Sequence, residues 1–494
     1  MKIAFISDTH LPGNENSPQF AYFKTALEQI KKDNIKTLVH LGDMVMHGDE
    51  QALALYFDAI SFLENSYFIL GNHDVHDAPN LEKVLSLAKP VKFTDGGRTF
   101  LGVHTHYLTI SEQEKEQMCE LKDGDVLFTH YPVSVLIEKD REFLQKILQE
   151  KALTVIYAHT HKFADSVYGK SRLINLAAVD PDKCIGSYPI IYYIDFDKEI
   201  TIKPIEFTQD KQVLEQVKRY FGISCVDNFA DLNYAIHNKV GAVELRLNAS
   251  DWQPDYSLVP LIEEWKKQTK GYLSVHMPNL KYSDGEIKGE ENWFKAIEYA
   301  VNIKADGLTI HPPKIKKALL TDELFDKLVG YYTAVVNAVN KDVKIGIENI
   351  HKTETEEIDE SNMYGFGYTP IDVTRLINAI NERVGYERVG FVFDVGHARN
   401  NGTLASTYPI SRWFEIMGKQ VVAYHIHQVT RDENGLKNHT PILDWLGPMI
   451  SYASFFYSWK EDLINHCPVF LEVKGNKNYD LSIKAFENLL KKAR

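Results

Sequence analysis

Residues 154–167 have the sequence TVIYAHTHKFADSV, an apolar run that ends in two histidines, His159 and His161. An isolated H-x-H after a strand is more often a pair of surface side chains than half of a metal site. Its meaning therefore depends on whether matching ligands follow other strands. Polar, metal-capable side chains do follow the other short apolar runs of the first 207 residues. In chain order they are Asp8, His10, Asp43, Asn72, His73, Asp74 and His130.

The first 207 residues alternate these apolar runs with amphipathic helical stretches, such as residues 20–33 and 141–151. This alternation is typical of an α/β sandwich. Because the carboxyl ends of neighbouring strands in such a fold converge on one crevice, we expect the polar side chains to meet there. Residues 208–221 then predict a polar linker helix that Gly222 closes.

Residues 222–494 have a more regular pattern, in which eight apolar runs are nearly all separated by helical segments. Eight strand–helix units in a segment of this length match a (β/α)8 barrel, the TIM barrel. The predicted architecture is therefore α/β throughout, with an N-terminal α/β sandwich (residues 1–207), a linker helix (208–221) and a barrel (222–494).

Composition limits the partners that this chain can have. It is 44% hydrophobic and carries a net charge of −13, so nucleic acid and anionic membranes are disfavoured, since both attract basic surfaces. Its four cysteines show no C-x-x-C spacing, which favours a reducing compartment. No segment approaches a membrane span, and the opening MKIAFISDTH lacks the apolar region of a signal peptide. We therefore expect a cytoplasmic protein with no membrane partner.

The first ligand series mixes carboxylate, imidazole and amide oxygen, which suits divalent Mn, Fe, Zn or Ni. The ordered motifs D-x-H, G-D, G-N-H-D, H and A-H-x-H resemble the calcineurin-like metallophosphoesterase family over residues 1–207, although that family usually has Gly at the position of Ala158. The resemblance implies two metal ions, and two adjacent ions can activate water and bind phosphoryl oxygens. Their implied ligands are Asp8, His10, Asp43 and His161 for one, and Asp43, Asn72, His130 and His159 for the other.

The same resemblance implies that His73 protonates the leaving oxygen and that Asp74 fixes its tautomer and orientation. Three other histidines fall outside the motifs. His104 and His106 alternate on one face of a predicted strand, which favours a structural or substrate-rim role. His47 is a candidate for the rim of the site.

The barrel carries a second ligand series. Catalytic groups of such barrels lie at the carboxyl ends of the strands, and six of the eight predicted strands end in a metal-capable residue. In HIHQ, residues 425–428, the register favours His425, and His427 only if the strand has already ended. The candidates are His276, His311, Glu348, Asp394, His397, His425 and Glu472, with His439 in the loop after the seventh strand.

The motifs HMPNL, IHPP, IEN, FDVGHA and LEV resemble the xylose isomerase-like barrels, the superfamily that includes the apurinic endonuclease IV family. The sugar isomerases and epimerases of that superfamily use a core that Glu348, Asp394, His425 and Glu472 match. His276, His311 and His439 resemble the additional ligands of the endonucleases, which have Asp where this chain has Lys437. The resemblance implies two to three Zn or Mn ions in the barrel.

Two ligand series in one acidic chain predict a two-site metalloenzyme that acts on small phosphorylated sugars or nucleotide-type molecules, with the barrel acting by hydrolysis. In one alternative the barrel is a sugar or sugar-phosphate isomerase or epimerase, in which Glu348 and Glu472 move protons beside a carbonyl.

In another alternative both domains cleave nucleic-acid phosphodiesters, in repair or defence. The acidic residues between 354 and 360 weigh against it, because they would repel a phosphate backbone. The barrel is also considered as a ligand-binding domain without catalysis. Glu244 and Arg246, at the end of the second barrel strand, either hold a sugar hydroxyl or phosphate or form a local ion pair.

Overall fold

The chain folds into two units, which a computed structural model describes over residues 2–197, 199–247, 252–283, 285–353, 356, 359–433 and 435–493. The first unit comprises Met1–Thr208 and Leu446–Ser454. The second comprises Gln209–Trp445 and Phe455–Arg494.

The first unit is built on two sheets, with strand orders β11-β10-β1-β2-β3 and β4-β5-β6-β7-β9-β8. Strands β1 and β2 are parallel, with Phe5 opposite Val39, and both side chains lie in a core that Phe128 and Ile156 of the other sheet share. This arrangement confirms the predicted α/β sandwich. The strands are β1 (Lys2–Ile6), β2 (Thr37–His40), β3 (Asn65–Phe68), β4 (Val91–Asp95), β5 (Arg98–Val103), β6 (Val126–Thr129), β7 (Thr154–Tyr157), β8 (Ala164–Tyr168), β9 (Ser171–Asn175), β10 (Ile190–Asp195) and β11 (Thr201–Glu206).

Four helices of the first unit, those that begin after Ser17, Asp49, Asn80 and Ser111, start at a side chain that accepts from a free backbone N–H. The Ser17 hydroxyl accepts from the N–H of Phe20 at the start of α1, and Pro18 occupies the first turn, where no intrahelical bond is lost. Phe20 and Phe23 then bury one face of that helix. The helices are α1 (Pro18–Lys32), α2 (Glu50–Ile60), α3 (Asn72–Val75), α4 (Leu81–Leu85), α5 (Glu112–Glu120) and α6 (Glu138–Glu150), with a 3-10 turn at Val133–Val135.

The connecting helix, α7 (Lys211–Lys218), is shorter than the sequence predicts. Gly222 does not close it; that residue lies inside the first barrel strand, β12 (Phe221–Ser224). The glycine is needed there for strand packing, because a Cβ at this position would lie 2.6 Å from the Cβ of Ala242 in the neighbouring strand. The prediction of a helix-closing glycine was therefore wrong.

The second unit is a closed, all-parallel barrel in which each of the eight predicted apolar runs forms one strand. The barrel strands, in order around the barrel, are β12, β13 (Ala242–Arg246), β14 (Tyr272–His276), β17 (Gly307–Ile310), β18 (Lys344–Glu348), β19 (Val389–Asp394), β20 (Val421–Ile426) and β23 (Val469–Leu471). Two hairpins extend from it: β15 (Lys281–Ser283) with β16 (Glu286–Lys288), and β21 (Gln428–Asp432) with β22 (Gly435–Thr440).

The helices of the barrel unit are amphipathic, as α10 shows by burying Trp293, Ala296, Ile297 and Ala300 at helical spacing. No helix within the described ranges is long and apolar enough to cross a membrane. The helices are α8 (Asn228–Asn238), α9 (Val259–Thr269), α10 (Glu290–Asn302), α11 (Asp322–Ala338), α12 (Pro370–Val384), α13 (Val395–Arg399), α14 (Leu404–Thr407), α15 (Ile410–Met417), α16 (Ala453–Lys460) and α17 (Asn476–Lys492), with 3-10 turns at Tyr256–Leu258, Lys317–Leu319, Glu360–Asn362 and Gly418–Gln420.

Candidate metal centres

The first unit gathers its predicted ligands at the carboxyl ends of β1, β2, β3, β6 and β7. Within each of three overlapping groups, one potential ligand atom per residue lies within 4.8 Å of the others. The groups are Asp8 with His10 and His161, His10 with Asp43 and His73, and Asp43 with His130 and His159.

Asp43 lies at the middle of this first centre. Its Oδ2 is 3.3 Å from Nε2 of His10 and 3.3 Å from Nε2 of His130. Oδ1 of Asn72 is 3.2 Å from the same His130 nitrogen, and Nε2 of His161 is 3.4 Å from Oδ1 of Asp8. Ligand atoms that lie about 2.0–2.2 Å from one ion are separated by roughly 3.0–3.4 Å. The spacing is therefore that of ligands arranged around ions.

Two of the histidines have their outer nitrogen engaged, which leaves Nε2 facing Asp43. Nδ1 of His130 is 2.8 Å from the carbonyl oxygen of Leu41, to which it donates. Nδ1 of His10 is 3.3 Å from Oδ2 of Asp180. A backbone carbonyl or carboxylate in this position is the usual support of a metal-binding imidazole.

The carboxylates of Asp8 and Asp43 are buried, and among the described residues only Oδ1 of Asp43 has a hydrogen-bond donor, the N–H of His73. Asp8 is 0% exposed and Asp43 1% exposed, and neither oxygen of Asp8 nor Oδ2 of Asp43 accepts a hydrogen bond. Although burial opposes it, the nearby charge of Asp43 raises the pKa of His130 to about 9. Buried anions are stable only when they are paired or bind metal, so the residues present fit divalent cations.

The backbone is strained at the same place. Asp8, His10, Asp43, His159 and His161 have φ values of 50°, 41°, 53°, 69° and 58°. Each left-handed non-glycine residue costs about 1–3 kcal/mol, which the rest of the fold must offset. Such strain typically marks a site where function fixes the side-chain directions.

Ala158 is accommodated without difficulty where the family usually has Gly. It is fully buried, its φ is not in the left-handed region, and its N–H donates to the carbonyl of His130 at 3.0 Å. The turn that holds His159 therefore does not require a glycine before it.

The structure contradicts the predicted contact of Asp74 with the His73 ring. Its two carboxylate oxygens accept from the backbone N–H groups of Val45 and Gly71, at 3.0 and 2.8 Å. Asp74 turns back to these amides because it sits in the first turn of α3. Burial, with the charge of Asp43, raises its pKa to about 7. The neighbour of the His73 ring is instead Lys183, whose Nζ lies 3.3 Å from Nε2.

Asp180 and Lys183 were missed by sequence reasoning. They lie in the DPDK segment, five and eight residues beyond the end of β9, whereas the predicted ligands directly follow their strands or open α3. The segment joins the centre because its backbone pairs with that of Ser7 and Asp8. A carboxylate and a lysine in a loop carry no local signal of this contact.

The remaining histidines of the first unit lie at the margin. β5 ends at Val103, so His104 and His106 do not alternate along a strand, as the sequence predicted. The His104 ring accepts from the N–H of Leu70 at 3.1 Å and contacts the carbonyl of Lys89 at 2.9 Å, which is a structural role. His106 packs on Tyr107, and the His47 ring lies 6.4 Å from that of His73.

The barrel gathers the second series at the carboxyl ends of its strands. At least two groups of its described residues have potential ligand atoms within 4.8 Å of one another. These two are His276 with His311 and Glu348, and Asp394 with His427, His439 and Glu472.

Glu348 links the two sides of this barrel centre. Its Oε2 lies 3.1 Å from Nε2 of His276 and 3.0 Å from Nε2 of His311, and its Oε1 lies 3.0 Å from Nδ1 of His425. The side chain is fully buried; although burial opposes it, the charges of His425 and His311 hold the pKa of Glu348 well below its ordinary value. A buried carboxylate between imidazoles again fits a cation.

The two histidines of HIHQ have different surroundings. Because β20 ends at Ile426, the side chain of His427 is free to face the centre, and its Nε2 lies 3.1 Å from Oδ1 of Asp394. Both nitrogens of His425 instead face carboxylates: Nε2 is 2.8 Å from Oε2 of Glu244, and Nδ1 is 3.1 Å from Oε2 of Glu472. His427 therefore joins Asp394, His439 and Glu472 in one candidate ligand group, whereas His425 lies between the carboxylates of Glu348 and Glu472.

His397 and His439 line the outer part of the barrel centre, with ring centroids 5.7 Å apart. Nδ1 of His397 donates to the carbonyl of Asn349 at 2.9 Å, which leaves Nε2 available. His351, which sequence reasoning missed, places its ring 4.8 Å from that of His397. The lysine that replaces the expected aspartate, Lys437, forms an ion pair with Asp432 in the hairpin.

Glu244 and Arg246 do not form the local ion pair that the sequence allowed as one alternative. The Glu244 carboxylate accepts from the hydroxyl groups of Ser224, Ser274 and Thr309 and lies beneath the centre. The Arg246 guanidinium pairs with Glu472. Arg246 thus holds the carboxylate of Glu472, whereas Glu244 holds the ring of His425.

The acidic loop after β18 is only partly described. Glu354 and Glu357 lie outside the described residues, as does the side chain of Glu360. Glu356 is 4% exposed and accepts from the N–H of Thr353 and the hydroxyl of Tyr368, so this carboxylate is part of the packing and not a solvated charge.

The chain has two domains, an α/β sandwich and a closed parallel barrel. Each carries buried carboxylates and imidazoles at its strand ends, which defines a two-domain enzyme with metal-binding residue groups. The barrel residues 236–489 match the family described as Xylose isomerase-like TIM barrel, and residues 1–163 match Calcineurin-like phosphoesterase. The chain belongs to the xylose isomerase-like TIM barrel family and carries a calcineurin-like phosphoesterase domain before the barrel.

Solved structures resemble each part separately. A dimetal phosphatase from Danio rerio is 13% identical, with a TM-score of 0.33, and the match covers 42% of this chain and 97% of that one. A xylose isomerase domain protein from Alicyclobacillus acidocaldarius is 14% identical, with a TM-score of 0.37 and coverage of 55% and 98%. A D-allulose 3-epimerase from Methylomonas sp. is 16% identical, with a TM-score of 0.40 and coverage of 55% and 97%. No curated protein matches the sequence.

Proposed function

We propose that the first unit is a dinuclear metal phosphoesterase that hydrolyses a phosphomonoester or phosphodiester. The observation that carries this proposal is the position of Asp43, whose Oδ2 lies 3.3 Å from Nε2 of both His10 and His130. One carboxylate oxygen between two imidazoles is the arrangement that a bridging ligand of two ions requires. The proposed ions are Mn, Fe, Zn or Ni.

Ligands for the two ions are proposed from the same contacts. Asp8, His10 and His161 would hold one with Asp43, and Asn72, His130 and His159 would hold the other with Asp43. When bound, such ions lower the pKa of water and neutralise phosphoryl oxygens. The protein itself orients the imidazoles through Asp180 and the Leu41 carbonyl, and excludes water from the carboxylates.

We propose that His73 contacts the leaving oxygen, because it lies beside Asp43 and His10. Its backbone N–H donates to Oδ1 of Asp43 at 2.7 Å, and its ring lies 4.8 Å from that of His10. The hydrogen bond ties the position of His73 to the bridging carboxylate. A shift of the bridging carboxylate would therefore also displace this imidazole.

For the barrel we propose hydrolysis of a phosphorylated sugar or nucleotide-type substrate with two to three Zn or Mn ions. His276, His311 and Glu348 would hold one ion; Asp394, His427, His439 and Glu472 would hold a second, with Glu348 between them. Hydrolysis is supported by His276 and His311, whose Nε2 atoms lie 3.1 and 3.0 Å from Oε2 of Glu348. These two imidazoles would hold an ion in addition to the one proposed between Asp394 and Glu472.

A second candidate for the barrel is a sugar or sugar-phosphate isomerase or epimerase. Glu348 and Glu472 both lie close to Nδ1 of His425, at 3.0 and 3.1 Å, and so face one another across a single imidazole. Two carboxylates so placed are suited to remove and return a proton beside a carbonyl. The acidic net charge of −13 makes nucleic acid the least favoured substrate of either unit.

Metal content and product analysis test these proposals. Full-length protein loaded with Mn or Zn is expected to contain four or five ions per chain by elemental analysis. It should hydrolyse p-nitrophenyl phosphate, bis-p-nitrophenyl phosphate or both. Two ions or fewer, or no hydrolysis with any divalent metal, would overturn the two-site proposal or the phosphoesterase proposal, respectively.

The hydrolase and isomerase proposals for the barrel are distinguished by the products formed from a ketose phosphate in D2O. Release of inorganic phosphate that is lost in Glu348→Gln supports hydrolysis. Deuterium incorporation beside the carbonyl without phosphate release supports the isomerase alternative. Cleavage of abasic-site DNA, with neither of these, would establish the nuclease alternative instead.

A further inference from the structure

The loop that carries Asp180 and Lys183 forms one side of the first centre. The N–H groups of Val179 and Asp180 donate to the carbonyls of Ser7 and Asp8, at 3.1 and 3.0 Å. Oδ1 of Asp180 accepts from the N–H of Asp182, while Oδ2 faces His10. The position of Lys183 is therefore tied to the backbone that presents the ligands.

Lys183 is a half-buried ammonium next to His73. Its Nζ lies 3.3 Å from Nε2 of His73, and no carboxylate of the described residues forms an ion pair with it. An ammonium has three N–H donors, and the His73 nitrogen takes one of them. The other two have no hydrogen-bond acceptor among the described residues.

The carboxylates of the first centre do not neutralise the charge of Lys183. Asp180 is engaged with His10, and Asp43 with the two histidines around it, so neither neutralises Lys183. A phosphomonoester has three unesterified oxygens and a phosphodiester has two, so two ions that each bound one such oxygen would leave a third oxygen only in the monoester. The third is the group that an ammonium beside the centre would bind, and a phosphodiester lacks it.

We propose that Lys183 binds the third terminal phosphoryl oxygen of the substrate and so makes the first centre selective for phosphomonoesters over phosphodiesters. This inference rests on the proposed phosphoesterase function. It assigns to Lys183 a contact with substrate, beyond the packing of the His73 ring.

The test compares Lys183→Met and Lys183→Arg in the full-length, Mn-loaded protein. Lys139→Met is the matched control, because the Lys139 side chain is 79% exposed on α6. We expect Lys183→Met to lower kcat/KM for p-nitrophenyl phosphate by about 10- to 100-fold, the usual worth of a hydrogen bond to a charged group. For bis-p-nitrophenyl phosphate the expected loss is under about threefold, and Lys183→Arg should retain most of the monoester activity.

A binding measurement makes the test independent of turnover. Calorimetric titration with orthophosphate should show about tenfold weaker binding to Lys183→Met than to the wild type, at unchanged metal content. Equal losses for the two esters, or unchanged phosphate affinity, would overturn the proposal and leave Lys183 as a support for His73.

The outcomes separate this inference from the function on which it rests. If the wild type hydrolyses neither ester with any metal, the phosphoesterase proposal fails, while the orthophosphate titration still decides the role of Lys183. If Lys183→Met does not fold, Lys183→Gln replaces it with the same expectations. If Lys183→Arg then binds orthophosphate no better than Lys183→Gln, the inference is contradicted.

Discussion

Replacement of Asp43 by Asn is the most direct perturbation of the first centre. The amide retains the size of the carboxylate and can still accept from the N–H of His73, which Oδ1 now does at 2.7 Å. What disappears is the negative charge of Oδ2, which lies 3.3 Å from Nε2 of both His10 and His130. The substitution thus tests the charge shared by both halves of the centre with little change in packing.

The expected magnitude follows from those two contacts. A hydrogen bond or ligand contact to a charged group is worth about 1.5–3 kcal/mol net, so two of them amount to about 3–6 kcal/mol. At about 1.4 kcal/mol for each factor of ten, kcat/KM should fall by roughly 10²- to 10⁴-fold. We also expect the variant to retain one or two fewer ions per chain than the wild type.

The assay uses Mn-loaded full-length protein, p-nitrophenyl phosphate and bis-p-nitrophenyl phosphate, together with elemental analysis. Asp95→Asn is the control, since Asp95 is an exposed aspartate at the end of β4. Glu348→Gln, in the barrel, should leave this activity unchanged. An Asp43→Asn variant with wild-type metal content and turnover within about threefold would refute the reasoning that Asp43 bridges two ions.

Three further results are expected. Asp180→Asn should weaken metal binding by about 10- to 100-fold in competition with a chromophoric chelator, because the carboxylate that orients His10 is lost; unchanged affinity would contradict that role. His427→Gln should lower the metal content of the barrel more than His425→Gln does, because His425 contacts the ligand carboxylates Glu348 and Glu472 and His427 faces Asp394; the reverse order would make His425 the stronger ligand. Burial raises the pKa of the Cys184 thiol to about 12, so this thiol stays protonated at pH 8. Before denaturation, only the exposed Cys119 should react rapidly with Ellman's reagent. A second rapidly reacting thiol would refute this prediction.

The architecture was predictable from the sequence because it depends on periodic signals. Each of the eight apolar runs of the second half became one barrel strand, and the runs of the first half became strands of the sandwich. Asp8, Asp43 and His159 could be placed for the same reason. Their side chains directly follow buried strands, and strand ends converge in both folds.

Other assignments required the folded chain. Gly222 occurs where a helix end was expected, yet it serves close strand packing, which depends on Ala242 in the neighbouring strand. Asp74 follows His73 directly, but its carboxylate is held by the amides of Val45 and Gly71. In both cases a local pattern predicted the wrong partner, because the partner was chosen by a distant segment.

By itself the sequence determined the two folds, the strand ends at which polar groups collect, and the chemical types of the ligands, because these follow from local hydrophobic periodicity. The tertiary structure alone decided that the ring of His427 rather than that of His425 faces Asp394, and that Asp180 and Lys183 lie beside His10 and His73. The register at a strand end and the path of a loop depend on contacts between residues far apart in the chain. Such contacts leave no mark on the sequence around the residues that make them.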